Sequence, residues 1–343
     1  MKPLNYAENK KSSELIGGKM KKVSVLIETV GRDREGKQSY LGNLLPDSMI
    51  DYAKLLEKIG IKYMEVGYPF TSDICLREFR RLMSENTKMQ ICVHSALNKD
   101  NFEKLIKEGV TRIDISLKFK ELTEEAINIQ IVEVKKIIDD CSFISKDNFQ
   151  LRIGIENAFK IPETLLLMLC YKIANVDNVS RISLSDTDGS ATPKTVRTTL
   201  KALDKSLPKN KGLELHFHND CNLASANLYE AYDLFKNNER ELIIDATLGG
   251  IGERNGITSI GDVFSLLYLN DKNLLERNYF TRHYAELYKY IYKDQVFNRD
   301  PINPVCFSHS SGLHIAKFIE LGDYQSIDPK IFGYEPQLIV LAH

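Results

Sequence analysis

The feature that most constrains this chain is an alternation. Eight short β-branched runs, at 23–30, 62–68, 89–95, 112–118, 150–157, 180–186, 213–219 and 242–248, are separated by helical patterns about eleven to twenty residues long. Several runs, such as Val23-Ser-Val-Leu-Ile and Ile91-Cys-Val, are apolar on both faces, as strands of a covered parallel sheet are. Amphipathic stretches include 48–59, 122–138 and 193–203. Pro46, Pro162 and Pro193 stand at or near helix starts, with Asp47 and Thr192 as possible caps. Eight such units in about 250 residues predict a closed (β/α)8 TIM barrel, where a doubly wound sheet would have five or six strands and a topological switch point. We assign 21–275 to the barrel and 276–343 to a small appended C-terminal domain acting as a lid. Residues 1–20 read as a flexible arm.

Composition narrows the function class. The chain has 343 residues, 43% hydrophobic and 27% charged, which is ordinary globular usage. Forty-six Lys and Arg stand against 47 Asp and Glu, so no charge excess points to nucleic acid or anionic membrane. The longest apolar run, 165–171, is too short to span a bilayer. Residues 1–20 hold no stretch of signal-peptide type. Six Cys without a CxxC pair read as reduced thiols of a cytoplasmic protein.

In such a barrel, function belongs where strands end. Arg32 and Asp33 follow strand one, Glu65 ends strand two and His94 ends strand three. Glu156 and Asn157 end strand five, and Asp186 and Thr187 end strand six. Strand seven carries Glu214-Leu-His216-Phe-His218-Asn-Asp220, and residues two apart share a face. His216 and His218 therefore read as a pair of divalent-metal ligands, or as two histidines hydrogen-bonded in a polar mouth. With Asp33 as a third ligand, two nitrogens and a carboxylate suit Zn, Mn, Co or Mg with open positions. Arg32 would stabilise an oxyanion beside that metal, or form a rim salt bridge. Glu214 reads as a general base or, preferably, as an orienter of a ligand histidine. The loop Gly249-Gly-Ile-Gly-Glu-Arg-Asn-Gly256 has GxGxxxG spacing; a tight turn is a simpler reading than a phosphate cradle.

Together these segments resemble the acetyl-CoA-dependent 2-oxo-acid condensing enzymes, the isopropylmalate, citramalate and homocitrate synthases. The motifs are Glu28-Thr-Val-Gly-Arg32-Asp33-Arg-Glu35, Met64-Glu65-Val-Gly, Ser185-Asp186-Thr187-Asp-Gly and the strand-seven segment. Gly250-Ile-Gly-Glu-Arg-Asn-Gly-Ile257 and His309-Ser-Ser-Gly-Leu-His314 complete them. The resemblance runs from about residue 23 to the end and is strongest to the homocitrate synthase branch. It implies a metal held by Asp33, His216 and His218, Arg32 at the reacting carbonyl, and Glu214 close to the acetyl group. His314 and Tyr324 would come from the C-terminal domain, commonly across a homodimer. Glu65, His94 and Thr187 match the 2-oxo-acid pocket, and Glu156 is taken with them as substrate-binding. The strand-one motif departs from the family at Gly31 and after Asp33, and Asn157 and Lys160 replace an Asp and an Arg.

The expected activity is that of an acyltransferase: metal-dependent Claisen condensation of acetyl-CoA with a 2-oxo acid. His94 and the Lys118–Lys120 stretch favour 2-oxoglutarate or oxaloacetate. The alternatives are isopropylmalate- or citramalate-type condensation, a hydroxyacyl-CoA lyase, and a catalytically idle metabolite-binding barrel. The lyases carry a catalytic Cys after strand eight, and the loop 249–256 has none.

Overall fold

The computed structural model describes residues 49–85, 87–119, 121–141, 149–293, 300–322 and 325–339, and the backbone of 23–28. Eight parallel strands close into a barrel in sequence order: β1 (Val23–Glu28), β2 (Tyr63–Val66), β3 (Gln90–His94), β4 (Arg112–Leu117), β5 (Gln150–Ile155), β6 (Val179–Asp186), β7 (Gly212–Phe217) and β8 (Leu242–Ala246), which pairs back onto β1. Each strand leads to one main helix: α1 (Met49–Ile59), α2 (Asp73–Ser84), α3 (Lys99–Lys107), α4 (Glu124–Asp140), α5 (Glu163–Ala174), α6 (Pro193–Ser206), α7 (Ala224–Phe235) and α8 (Ile260–Asn270). The expected (β/α)8 barrel is therefore present. The arm, Pro46 and Asp47 lie outside the described residues.

The helices begin where the sequence supplies caps. Ser72, Asn98, Thr123, Thr192 and Ser259 each accept a hydrogen bond from a backbone N–H three residues on, satisfying a donor the first turn leaves free. At α8, Asp262 returns the bond to the Ser259 backbone, completing a capping box.

The two faces of the strands differ in character. Outward positions such as Ile113, Ile115, Ile153, Ile155, Leu213 and Leu215 join one continuous apolar core beneath the helices. Inward positions alternate with them and are mostly polar: Glu65, His94, Asp114, Ser116, Arg152, Ser183, Glu214, His216 and Asp245. The small apolar cluster separate from the main core is Tyr63, Cys92 and Ile243, at the N-terminal end of the interior. There Tyr63 lies between two guanidinium groups, Arg112 at 4.7 Å and Arg181 at 4.3 Å from its ring centre. Barrels of this type usually fill the interior with Val, Ile and Leu, so this polar filling signals a site.

Beyond the barrel come α9 (Lys272–Asn278), α10 (Tyr284–Tyr292), β9 (Ser308–His309), α11 (Gly312–Leu321) and β10 (Gln337–Leu338), with β9 and β10 paired. Tyr284, Tyr288 and Tyr292 recur every four residues on α10, so they share a face, and all three enter the barrel's apolar core. Phe332 stacks on Phe264 of α8. In contrast, α11 buries no residue.

Candidate active site

The site is built from β5 upward. Arg152, an inward residue of that strand, meets carboxylates from four others. Its Nη2 is 2.5 Å from Glu65, its Nε 3.1 Å from Asp114, and its Nη1 3.3 Å from Asp245 and in contact with Glu214. All five residues are buried. Among the described residues one guanidinium therefore meets four carboxylates, in a medium that penalises buried charge. One consequence falls on Asp114: burial pushes its carboxyl up to about 7, against the pull of Arg152 and with the help of Glu65 and Asp245. Among the described residues, Asp114 Oδ2, Glu214 Oε2 and Asp245 Oδ1 accept no hydrogen bond.

Directly above this acidic layer stand the two histidines. His216 Nδ1 is 3.1 Å from Asp245 Oδ2. Donation of that N–H to the carboxylate leaves Nε2 with its lone pair, as ligand histidines are oriented. The Nε2 atoms of His216 and His218 face each other at 3.3 Å. Burial, His216 and Arg254 hold His218 down at about 3, with Asp220 opposing them, so its ring is neutral at neutral pH. Two imidazoles whose Nε2 atoms converge above buried carboxylates fit a divalent cation on donor chemistry. Among the described residues, no group of three or more His, Cys, Asp or Glu forms a complete metal set. The expected third ligand, Asp33, and its neighbour Arg32 lie outside those residues.

A cavity of about 260 Å³ opens at this end of the barrel. His94, Glu156, Thr187, His216 and His218 all line it, so the structure brings five of the anticipated site residues together. Thr187 Oγ1 accepts from the Asn157 backbone N–H at 2.9 Å. Lys118 reaches the mouth and pairs with Glu156 at 3.1 Å. Glu65 and Glu214 are different: neither lines the cavity, and both contact Arg152, which does. His94 bridges the two levels, its Nδ1 4.0 Å from Glu65. His314 sits exposed on α11 and does not line the cavity; Tyr324 lies outside the described residues.

Sequence reasoning missed Arg152, Asp114, Asp245 and Arg254. The first three were visible as lone charges inside otherwise apolar strand runs, which a reading of strands as hydrophobic stretches passes over. Arg254, with φ of +53°, donates to both oxygens of Asp220 and to the Thr187 carbonyl at 2.7 Å. It ties together the loops after β6, β7 and β8. Asp220 can approach because residue 189 is glycine: a Cβ there would stand 2.4 Å from its Oδ2.

Residues 26–284 match the family model described as HMGL-like. The mitochondrial homocitrate synthase of Schizosaccharomyces pombe is 27% identical over 310 residues, covering 88% of this chain and 72% of that protein. A probable 2-isopropylmalate synthase of Archaeoglobus fulgidus is 24% identical over 319 residues, covering 90% of this chain and 61% of its own length. Among solved structures, the HMG-CoA lyase of Bacillus subtilis superposes with a TM-score of 0.58 at 19% identity, over 80% of this chain and 94% of the lyase. That last likeness concerns the fold alone. On the family model, which spans most of its length, this chain belongs to the HMGL-like family.

Proposed function

We propose that the protein condenses acetyl-CoA with a 2-oxo acid in a Claisen-type, metal-dependent acyl transfer. The observation that carries this reading is the pair of facing imidazoles over the Arg152 layer, in a chain similar to homocitrate and isopropylmalate synthases. His216 and His218, with Asp33, would hold Zn, Mn, Co or Mg, and such an ion supplies polarisation of a ketone when bound. Asp245 keeps His216 in the tautomer that presents Nε2 to the cavity. Arg32 would stabilise charge developing on the ketone oxygen. Glu214 is engaged by Arg152, while the carboxylate that orients His216 is Asp245; His314, with Tyr324, is the candidate for moving a proton at the acetyl methyl.

His314 could serve that role from a second copy of the chain. Its helix α11 buries nothing and exposes Leu313, Ile319 and Leu321, an apolar surface of the kind oligomers cover. A homodimer, with the stretch from 276 as lid, is therefore part of the reading. So is a cytoplasmic location, which six cysteines without a disulfide support.

The cavity wall favours a polar partner substrate. Its described lining holds serines, charged groups and imidazoles, with no aliphatic side chain. A branched aliphatic 2-oxo acid would set methyl groups against hydroxyls and charges. A second carboxylate, as in 2-oxoglutarate or oxaloacetate, meets His94 and Lys118 instead. The test follows free thiol while metal-loaded protein is given acetyl-CoA and a panel of 2-oxo acids. We expect the dicarboxylic acids to release thiol fastest and His218→Ala to stop release. No turnover with any 2-oxo acid, in protein shown to bind metal, overturns the proposal.

A further inference from the structure

The loop after β8 carries Glu253 and Arg254 to the cavity wall, yet its root is gripped from outside the barrel. Asp300, fully buried, accepts hydrogen bonds from the Gly249 backbone N–H at 3.0 Å, the Tyr284 hydroxyl at 2.6 Å and the Ile302 N–H at 2.9 Å. Tyr292 donates to the Leu248 carbonyl, and its ring lies 3.0 Å from where a Gly249 Cβ would stand. The carboxylate also fills the space above Gly261 in the first turn of α8, where a Cβ would meet Oδ1 at 1.7 Å.

From that root, backbone bonds run without a break to the metal-ligand candidate. Ile257 N–H donates to Gly250 at 3.2 Å, Thr258 N–H to Phe217 at 3.1 Å, and Asn219 N–H to Gly256 at 2.9 Å. The last two bracket His218. We propose that Asp300, with Tyr284 and Tyr292, is a positioning device: it sets the loop after β8, and through it the height of His218 and Arg254 at the cavity. The proposal concerns the protein's own geometry and stands whether or not the reaction above is the right one.

The test substitutes Asp300→Leu, close in size but without an acceptor, and Asp300→Asn, which keeps one. Two readouts are taken on full-length protein: amide hydrogen exchange by segment, and the histidine ring resonances of isotope-labelled protein. Removing a bond to a buried carboxylate should speed exchange of 249–258 about tenfold relative to α3 and α4. It should move the His218 ring signal, and Asn should restore both. Should Asp300→Leu fail to fold, Tyr284→Phe removes one donor without leaving a hole, and we expect a smaller change of the same pattern. Uniform loss of protection, or a His218 signal that stays in place while the loop loosens, would overturn the proposal.

Discussion

The two ends of the barrel interior solve the burial of charge in opposite ways. At the N-terminal end, Arg112 and Arg181 enclose Tyr63. Arg181 has Glu241 at its edge, 3.1 Å away and partly solvated, while Arg112 donates to Gln90. Cation meets aromatic face, amide and a single carboxylate, and the result is a plug. In the middle layer one guanidinium, Arg152, faces four carboxylates, three of which keep an oxygen without a hydrogen bond among the described residues. That layer lies directly below the facing Nε2 atoms of His216 and His218. The same residue types thus form an aromatic-capped plug at one end and a carboxylate-rich floor beneath two imidazoles at the other.

The largest expected effect breaks this contrast. Arg152→Met removes a guanidinium that contacts four buried carboxylates and should cost on the order of 3–5 kcal/mol. Arg112→Met loses a cation–π contact and one amide hydrogen bond, about 1–2 kcal/mol. Denaturant unfolding of both variants decides it, and equal losses would show that the two ends do not differ as described. Next, Asp245→Asn removes the carboxylate that orients His216, and metal affinity measured by calorimetry should fall about 10–100-fold with little change in fold.

Much of this architecture was legible beforehand, for physical reasons. β-branched runs and capped helices carry local signals, so every strand was placed within two residues and Thr192 caps α6 as expected. His216 and His218 were legible because a period of two puts them on one face. The Arg152 layer was not, because it joins residues from five strands that share no spacing in sequence. Glu214, two residues before His216 on one strand, was legible as a step deeper, whereas the depth of Glu65 on a different strand was not: height between strands depends on barrel stagger. Asp300 carries only a local turn signal through Ile302, since the partners that tie it to the barrel lie 16 and 51 residues away.

Smaller effects sharpen the picture. Burial raises the Asp300 carboxyl to about 7, with Asp262 adding to the rise and the Tyr284, Ile302 and Gly249 donors opposing it; Tyr292, Tyr334 and Cys306 also face it. A folded pKa above the unfolded value of about 3.9 gives stability that is present in acid and lost as pH rises through the folded pKa. Wild type should therefore lose Tm relative to Asp300→Asn between about pH 4 and 7, read by thermal scans across that range. A constant gap would mean that Asp300 does not titrate there. Least of all in stability, Lys118→Met at the exposed mouth should stay within about 0.5 kcal/mol of wild type. Its signature belongs instead in KM, raised for dicarboxylic 2-oxo acids and unchanged for monocarboxylic ones.

The central claim is that His216 and His218 share one cation above the Arg152 layer. Anomalous scattering from crystals soaked in a zinc or manganese salt tests it most directly. The account predicts one peak about 2.0–2.2 Å from both Nε2 atoms, lost in His218→Ala. An anomalous map with no peak there, the two rings still facing each other at hydrogen-bond distance in metal-replete crystals, would contradict it.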